Sequence, residues 1–172
     1  MEWGENLSIV KEQTKVLPVL WQALEREAED RGSYLIIYHL PRKRLVEIGG
    51  LGKVTLKPGY YIYVGSAMRN LSQRVERHRR IRKKLHWHID FFRGLAEYQA
   101  GLPVRSEDDL ECELASAMIG VSEWSVPGFG CSDCSCPSHL FGFSVDPMST
   151  RKFHDVLQYF RMDRLLEKYP CK

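Results

Sequence analysis

The sequence has no long apolar segment and no recognisable leader. No stretch approaches the roughly 20 uncharged apolar residues that a membrane-spanning helix needs. The first residues, MEWGENLSIVKEQ, lack the basic and then apolar pattern of a secretory signal. Internal repeats and low-complexity tracts are also missing. These absences exclude a membrane-spanning protein and a repeat array, and we expect a soluble cytoplasmic protein with no membrane partner.

The number of cysteines in the chain is odd. Five cysteines in a chain without a secretory signal argue against a framework of disulfide bonds. Three of them, Cys131, Cys134 and Cys136, nevertheless lie within six residues. This crowding requires a metal-binding or a redox explanation.

The chain is long enough for one compact domain and too short for two full-sized domains. Apolar residues at helical spacing predict helices over residues 14–31, 71–84, 109–120 and 149–169. Runs rich in β-branched and aromatic residues predict strands over residues 33–40, 45–50 and 60–67. Residues 102–109 are predicted to form a loop. This order of elements predicts an α/β fold, in which a small mixed or antiparallel sheet is flanked by helices.

Positive charge is concentrated in one stretch of the chain. The 25 Lys and Arg exceed the 22 Asp and Glu by only three, yet eight cations face a single acidic residue, Glu76, between positions 69 and 84. These cations, here called the basic stripe, are Arg69, Arg74, Arg77, Arg79, Arg80, Arg82, Lys83 and Lys84. Such a density of cations suits a polyanion, and the alternative is a solvated helix face.

Several short motifs together resemble the GIY-YIG nuclease superfamily. Gly32-Ser33-Tyr34 opens one predicted strand, Tyr63-Val64-Gly65 closes another, and the helix that follows carries Arg74. The stretch YVGSAMRNLSQRV is similar to the tyrosine-valine-glycine, asparagine-leucine, arginine run of the excision-repair incision nuclease, with one additional residue before the asparagine. HWHID, ECELA and GFGCSDCSCPSHLF are similar to an uncharacterised prokaryotic branch of the superfamily.

The resemblance covers residues 32–143 and implies a GIY-YIG-like core within a single domain, 1–172. Residues 1–31 then form an N-terminal helical extension, and residues 144–172 form a C-terminal helix. The implied function is a divalent-metal-dependent endonuclease that hydrolyses phosphodiester bonds in DNA repair or processing. DNA is favoured over RNA as the nucleic-acid partner, and DNA-repair proteins are further expected partners. The alternative is a non-catalytic nucleic-acid-binding module on the same fold.

The resemblance also implies a set of site residues. Glu111 would hold Mg²⁺ or Mn²⁺, because a hard cation that keeps several waters needs few protein oxygens. Glu113 is an equal candidate until the family pattern favours the residue before Cys112. Arg74 would clamp the scissile phosphate, because the planar guanidinium gives two charge-assisted hydrogen bonds. The rest of the basic stripe would bind the nucleic-acid backbone.

Three further side chains are expected to act with Arg74. His78 follows it by one helical turn, so both side chains would reach one phosphate. Tyr34 and Tyr63, on neighbouring strands, would point their phenols at the attacking water. Which tyrosine is the base stays open, since a phenol with a pKa of about 10 needs help to act at neutral pH. Ser66 replaces a lysine of the excision-repair relative, which weakens the expected electrostatic activation.

The cysteine-rich loop offers a candidate zinc site. Cys131, Cys134, Cys136 and His139 are soft ligands that suit Zn²⁺. The nearby HWHID segment would add the ligands His86, His88 and Asp90. However, nine residues leave little chain to wrap a tetrahedral ion. The alternative to zinc is a reduced, packed loop whose Asp133, Ser138 and His139 orient the active-site wall. A metal-binding interaction domain built around the cysteines is a third hypothesis for the function, after the nuclease and the binding module.

Overall fold

The computed structural model of the chain describes residues 17–169. The helices are α1 Leu17–Glu27, α2 Leu71–Arg79, α3 His88–Arg93, α4 Glu111–Ile119, α5 Arg151–Gln158 and α6 Arg164–Lys168. The strands are β1 Gly32–Leu40, β2 Arg44–Ile48, β3 Gly52–Leu56, β4 Gly59–Ala67, β5 Glu97–Arg105, β6 Trp124–Ser125 and β7 Leu140–Phe143. Short 3₁₀ turns lie at Gly49–Leu51 and Pro147–Ser149, and a π turn, Tyr159–Asp163, joins α5 to α6.

A five-stranded sheet forms the centre of the fold. Its strand order is β5-β1-β4-β7-β6, and all neighbouring strands are antiparallel. β2 and β3 form a separate two-stranded hairpin. The predicted α/β class, an antiparallel sheet flanked by helices with further helices at each end, is confirmed.

Both faces of the sheet are covered, which explains the unbroken apolar run in β1. Tyr34, Ile36 and Tyr38 point to one face, where they join residues of α2, α3 and the hairpin in one buried cluster. Leu35 and Ile37 point to the opposite face, where α4 and α5 pack. Successive side chains of a strand alternate between faces, so a strand covered on both sides is apolar throughout. We call these surfaces the α2 face and the α4 face.

Helix α2 is held by residues from outside its own segment. Asn70, the residue that precedes the helix, adopts a left-handed conformation, and its side chain makes no capping hydrogen bond. Instead, the Asp30 carboxylate accepts hydrogen bonds from the Ser72 amide at 3.0 Å and the Ser72 hydroxyl at 2.6 Å. A carboxylate suits the N-terminus of a helix, where unpaired N–H groups face outward. The loop after α1 therefore positions the helix that carries Arg74.

Three predicted boundaries were wrong. The helix predicted over 71–84 ends at Arg79, because the chain turns away to bring Lys83 to Asp90. The second part of strand β5, residues 102–105, was predicted as a loop, and the strand tolerates Pro103 because β5 is an edge strand of the sheet. The helix predicted over 149–169 is interrupted by the π turn. Part of the prediction for residues 14–31 lies outside the described residues.

The helices within residues 17–169 are all too short or too polar to cross a membrane.

Candidate active site

A polar cleft lies beside the first residues of β1 and the last residues of β4. Its volume is about 230 Å³. It is lined by Tyr34, Tyr63, Ser66, Arg74, His86, Trp87, His88, Glu111, Gly130, Ser132 and Asp133. Four of the five predicted catalytic residues, from β1, β4, α2 and α4, are thus brought to one place. The fifth, His78, does not line this cleft.

Gly65 allows the Tyr34 ring to lie across the neighbouring strand. The two residues are directly paired between β1 and β4. A Cβ atom at Gly65 would overlap the hydroxyl and ring of Tyr34. The phenol can therefore lie in the cleft only because residue 65 has no side chain. This explains a glycine inside a strand, where glycine is otherwise unfavourable.

His78 contacts the Tyr34 hydroxyl from the buried side and does not face the cleft. Its side chain is fully buried, and its Nε2 lies 2.8 Å from the Tyr34 hydroxyl. Burial, aided by the charge of Lys83, lowers the pKa of His78 to about 3, so the imidazole is neutral at physiological pH. The prediction that His78 reaches the same phosphate as Arg74 is wrong, because the buried ring is occupied by the tyrosine.

The surroundings of His78 favour one tautomer. Its Nδ1 is buried and has no hydrogen-bond partner among the described residues. An unpaired buried N–H is rarer than an unpaired acceptor, so the proton is best placed on Nε2. In that tautomer His78 donates to the Tyr34 oxygen. The phenolic proton of Tyr34 is then free to point into the cleft.

The two cleft tyrosines are not equivalent. Burial raises the pKa of Tyr34, and the positive charge of Arg74 opposes this only in part. Burial raises the pKa of Tyr63 well above its usual value, and the Tyr34 and Glu111 charges add to the effect. The Tyr63 ring packs edge-on against His78 and Phe129. Tyr34, with an imidazole donor and a nearby cation, is the better placed to carry negative charge.

Arg74 is held by an aromatic side chain. Its guanidinium carbon lies 4.4 Å from the centre of the Trp87 ring, and that of Arg77 lies 4.3 Å from the same ring. Stacking on tryptophan orients a guanidinium without occupying its donors. Arg74 and Trp87 also line a second, more open groove together with Arg69 and Arg80. The cleft thus opens towards part of the basic stripe.

Glu111 is the centre of a hydrogen-bond network at the start of α4. Its Oε2 accepts a 2.6 Å hydrogen bond from Ser66, and its Oε1 lies 2.8 Å from His139 Nδ1. The Ser66 hydroxyl also lies 3.0 Å from Asp109 Oδ2, so one serine links two carboxylates. The Glu111 side chain is 25% exposed. It is therefore held in position while still facing the cleft.

His139 is buried against Glu111. Burial alone lowers the pKa of the imidazole, but the hydrogen bond and the charge of Glu111 outweigh it and raise the pKa above its ordinary value. The alternative interpretation of the loop, in which His139 orients the wall of the site, agrees with this contact. His139 Nε2, at the other side of the ring, lies 3.5 Å from Cys134 Sγ.

Two cations of the basic stripe have an internal partner. The carboxylate of Asp90, which is itself buried, accepts hydrogen bonds from both guanidinium nitrogens of Arg77 at 3.0 Å and lies 2.8 Å from Lys83 Nζ. Burial raises the pKa of Asp90, but these cations outweigh it and hold the pKa well below its usual range. Lys83 is only 6% exposed and is not available to a phosphate. The exposed members of the stripe are Arg69, Arg79, Arg80, Arg82 and Lys84.

The cysteine cluster differs from the predicted one. The donor atoms of Cys112, Cys134, Cys136 and His139 all lie within 4.8 Å of one another. Cys131 is not part of this group, because its thiol turns towards the Phe129 carbonyl at 3.4 Å. The expected additional ligands are elsewhere, since His86 and His88 line the cleft and Asp90 is paired with Lys83.

Sequence reasoning missed several residues of this region. Asp109 lies in no motif, and Trp87 and Cys112 were given no role although they lie within HWHID and ECELA. Ser66 was regarded only as a weakening replacement for lysine. Their roles depend on contacts between segments that lie far apart in the chain. The one available signal was local: Cys112 and Asp109 flank Glu111 within four positions.

Comparison with models of protein families places most of the chain in one of them. The family described as "Domain of unknown function DUF123" matches residues 33–162, which is more than half of the 172 residues and includes every residue that lines the cleft. Comparisons with curated proteins and with solved structures gave no significant match.

Proposed function

The chain belongs to the family described as a domain of unknown function, DUF123, and we propose from its cleft that it is a divalent-metal-dependent endonuclease of the GIY-YIG type. Its proposed substrate is DNA that is being repaired or processed. One observation carries it: Tyr34, Arg74 and Glu111 come from three distant segments and line one polar cleft. A base, a phosphate clamp and a metal-holding carboxylate are the groups that phosphodiester hydrolysis needs.

The donor set of the cleft fits a hard divalent cation. Glu111 presents a carboxylate to the cleft, and Ser66 and Asp109 add oxygen atoms beside it. Mg²⁺ and Mn²⁺ prefer such oxygen ligands and are held in part by water. When bound, an ion of this kind offsets the negative charge that builds on the phosphoryl oxygens.

Further side chains are assigned the other steps of the reaction and the binding of the substrate. Arg74, oriented by Trp87, donates to the phosphoryl oxygens. Tyr34 in its phenolate form takes the proton of the attacking water. The water oxygen bonds to phosphorus as the bond from phosphorus to the leaving oxygen breaks, and that oxygen takes a proton from solvent. His78 donates a hydrogen bond from its Nε2–H group to the Tyr34 oxygen and so stabilises that phenolate. Arg69 and Arg80, along the adjoining groove, hold the flanking backbone of the nucleic acid.

A non-catalytic binding module is the second candidate. Burial raises the pKa of Tyr34 and of Tyr63, which disfavours the phenolate that a general base requires and so favours this module. Cleavage assays on single-stranded, duplex, flap and branched DNA with Mg²⁺ or Mn²⁺ separate the two functions. Metal-dependent strand scission supports the nuclease, and tight binding without scission on every substrate supports the module.

The exposed part of the basic stripe is expected to set the salt dependence of binding. The double variant Arg80→Ala, Arg82→Ala should reduce the slope of log affinity against log salt by about 2, because each lost phosphate contact removes about 0.9. Affinity would be measured by fluorescence anisotropy from low to moderate salt. The matched control is the double variant Arg151→Ala, Lys152→Ala on α5. This helix packs on the α4 face, on the opposite side of the sheet from α2. A slope that both double variants leave unchanged would contradict this role.

Tyr34 is expected to set the pH dependence of cleavage. Because its pKa is raised, the phenolate fraction should grow about tenfold per pH unit across the neutral range, and the rate should grow with it. Tyr34→Phe should lower the rate by about 10²-fold and remove this dependence. Tyr63→Phe is the matched control on the neighbouring strand and should retain the slope. If Tyr63→Phe alone flattens the profile, the two tyrosines have the reverse roles.

A further inference from the structure

Four metal-ligating side chains meet next to the cleft, outside the groups assigned to cleavage. Cys112 is the second residue of α4, Cys134 and Cys136 lie in the loop before β7, and His139 directly precedes β7. Their donor atoms lie within 4.8 Å of one another. All three cysteines are free thiols, and His139 is buried. Three sulfurs and one nitrogen form a ligand set that structural zinc sites use.

The distance between two of the donors is that expected around a tetrahedral ion, and the whole set is compact enough to surround one. With Zn–S and Zn–N distances of about 2.3 and 2.0 Å, tetrahedral angles place neighbouring donors about 3.5–3.8 Å apart. Cys134 Sγ and His139 Nε2 are 3.5 Å apart. The fourth donor, Cys112, comes from a helix instead of from the loop. This removes the difficulty of wrapping an ion with nine consecutive residues.

His139 is oriented as a metal ligand usually is. Its Nδ1 lies 2.8 Å from Glu111 Oε1, so the ring donates to the carboxylate and keeps the Nε2 lone pair towards the sulfurs. Metal-bound histidines commonly donate their second nitrogen to a carboxylate, which fixes both the tautomer and the ring plane. The Glu111 contact thus prepares His139 to bind a metal through Nε2.

We propose that Cys112, Cys134, Cys136 and His139 bind one structural Zn²⁺. Binding takes the three cysteines as thiolates and releases their protons to solvent, and the four protein ligands leave no open position for chemistry. The ion ties the first turn of α4 to the loop before β7. Through His139 and through Cys112, which is adjacent in the chain, it holds Glu111 in the cleft.

Elemental analysis of the full chain, purified without added metal and dialysed, tests this site. We expect about one zinc per chain. Cys136→Ser and Cys112→Ser should each lower the zinc content to a small fraction of that value. Cys131→Ser is the matched control, since its thiol lies in the same loop but outside the cluster, and it should retain the metal.

Cobalt substitution of the unmodified chain provides a second readout that does not depend on a variant folding. Co²⁺ at three thiolates and one imidazole should give the intense absorption of tetrahedral thiolate coordination. Unmodified protein that is folded but free of zinc, or that contains a disulfide within the cluster, would overturn the proposal. Loss of zinc from Cys131→Ser but not from Cys112→Ser would also overturn it. None of these measurements depends on nuclease activity.

Discussion

Glu111→Gln is expected to lower metal-dependent strand cleavage by at least about 10³-fold, while folding and DNA affinity stay close to those of the unmodified chain. The substitution retains the size of the side chain and removes its negative charge. In the proposed function the hard cation depends on that charge, whereas binding of the nucleic acid depends on the arginines of the groove. The loss should therefore fall on the chemical step.

Glutamine at position 111 can retain the hydrogen bonds that Glu111 makes to its neighbours. A glutamine oxygen can still accept from His139 Nδ1, and the amide can donate to the Ser66 hydroxyl, which at present donates to the carboxylate. Single-turnover cleavage with Mg²⁺ and with Mn²⁺ would measure the rate. Circular dichroism and anisotropy would confirm that folding and binding are retained.

Glu113→Gln is the control for the position of the metal ligand. Glu113 carries the same charge on the same helix, but two residues along α4 correspond to a rotation of about 200°. It is exposed and lines a separate surface groove with Ser116 and Tyr159. Its substitution should leave cleavage within about twofold of the unmodified rate. Loss of activity in Glu113→Gln, with activity retained in Glu111→Gln, would show that the wrong carboxylate had been assigned.

The sequence predicted the central strands well because their signal is local. β1 and β4 are nine residues long and mostly apolar, since helices cover both faces of the sheet. The ends of α2 were harder to predict. Its start depends on a carboxylate at Asp30, and its end depends on the ion pairs of Lys83 and Arg77 with Asp90. Those contacts are set by tertiary structure and leave no periodic pattern.

Site residues were predicted unevenly for a similar reason. The resemblance to a known nuclease superfamily named Tyr34, Tyr63, Arg74 and Glu111, and all four line one cleft. The place of His78 could not be inferred, because helical spacing puts it on the face of Arg74 but does not reveal that this face is buried at that turn. Likewise, sequence spacing favoured Cys131 as a zinc ligand. In the folded chain Cys112, from helix α4, lies in the cluster, and Cys131 does not.

Arg74→Ala is expected to slow cleavage by about 10²-fold, which corresponds to about 3 kcal/mol of lost transition-state stabilisation. Charge on the phosphoryl oxygens grows along the reaction, so a guanidinium beside them contributes more in the transition state than in the bound substrate. DNA affinity should fall only severalfold, because other arginines line the adjoining groove. Rate and affinity would be measured separately, by single-turnover cleavage at saturating protein and by anisotropy.

Two matched variants decide whether the planar fork or the charge alone matters. Arg74→Lys retains the charge but loses both the paired donors and the broad stacking on Trp87, so the rate should remain at least about tenfold below that of the unmodified chain. Arg82→Ala removes an exposed cation of the basic stripe that lines neither the cleft nor the groove, and its rate at saturation should not change. If Arg82→Ala slows the chemical step as much as Arg74→Ala does, Arg74 acts only through the overall positive charge of the basic stripe. The hypothesis that Arg74 binds the scissile phosphate would then be wrong.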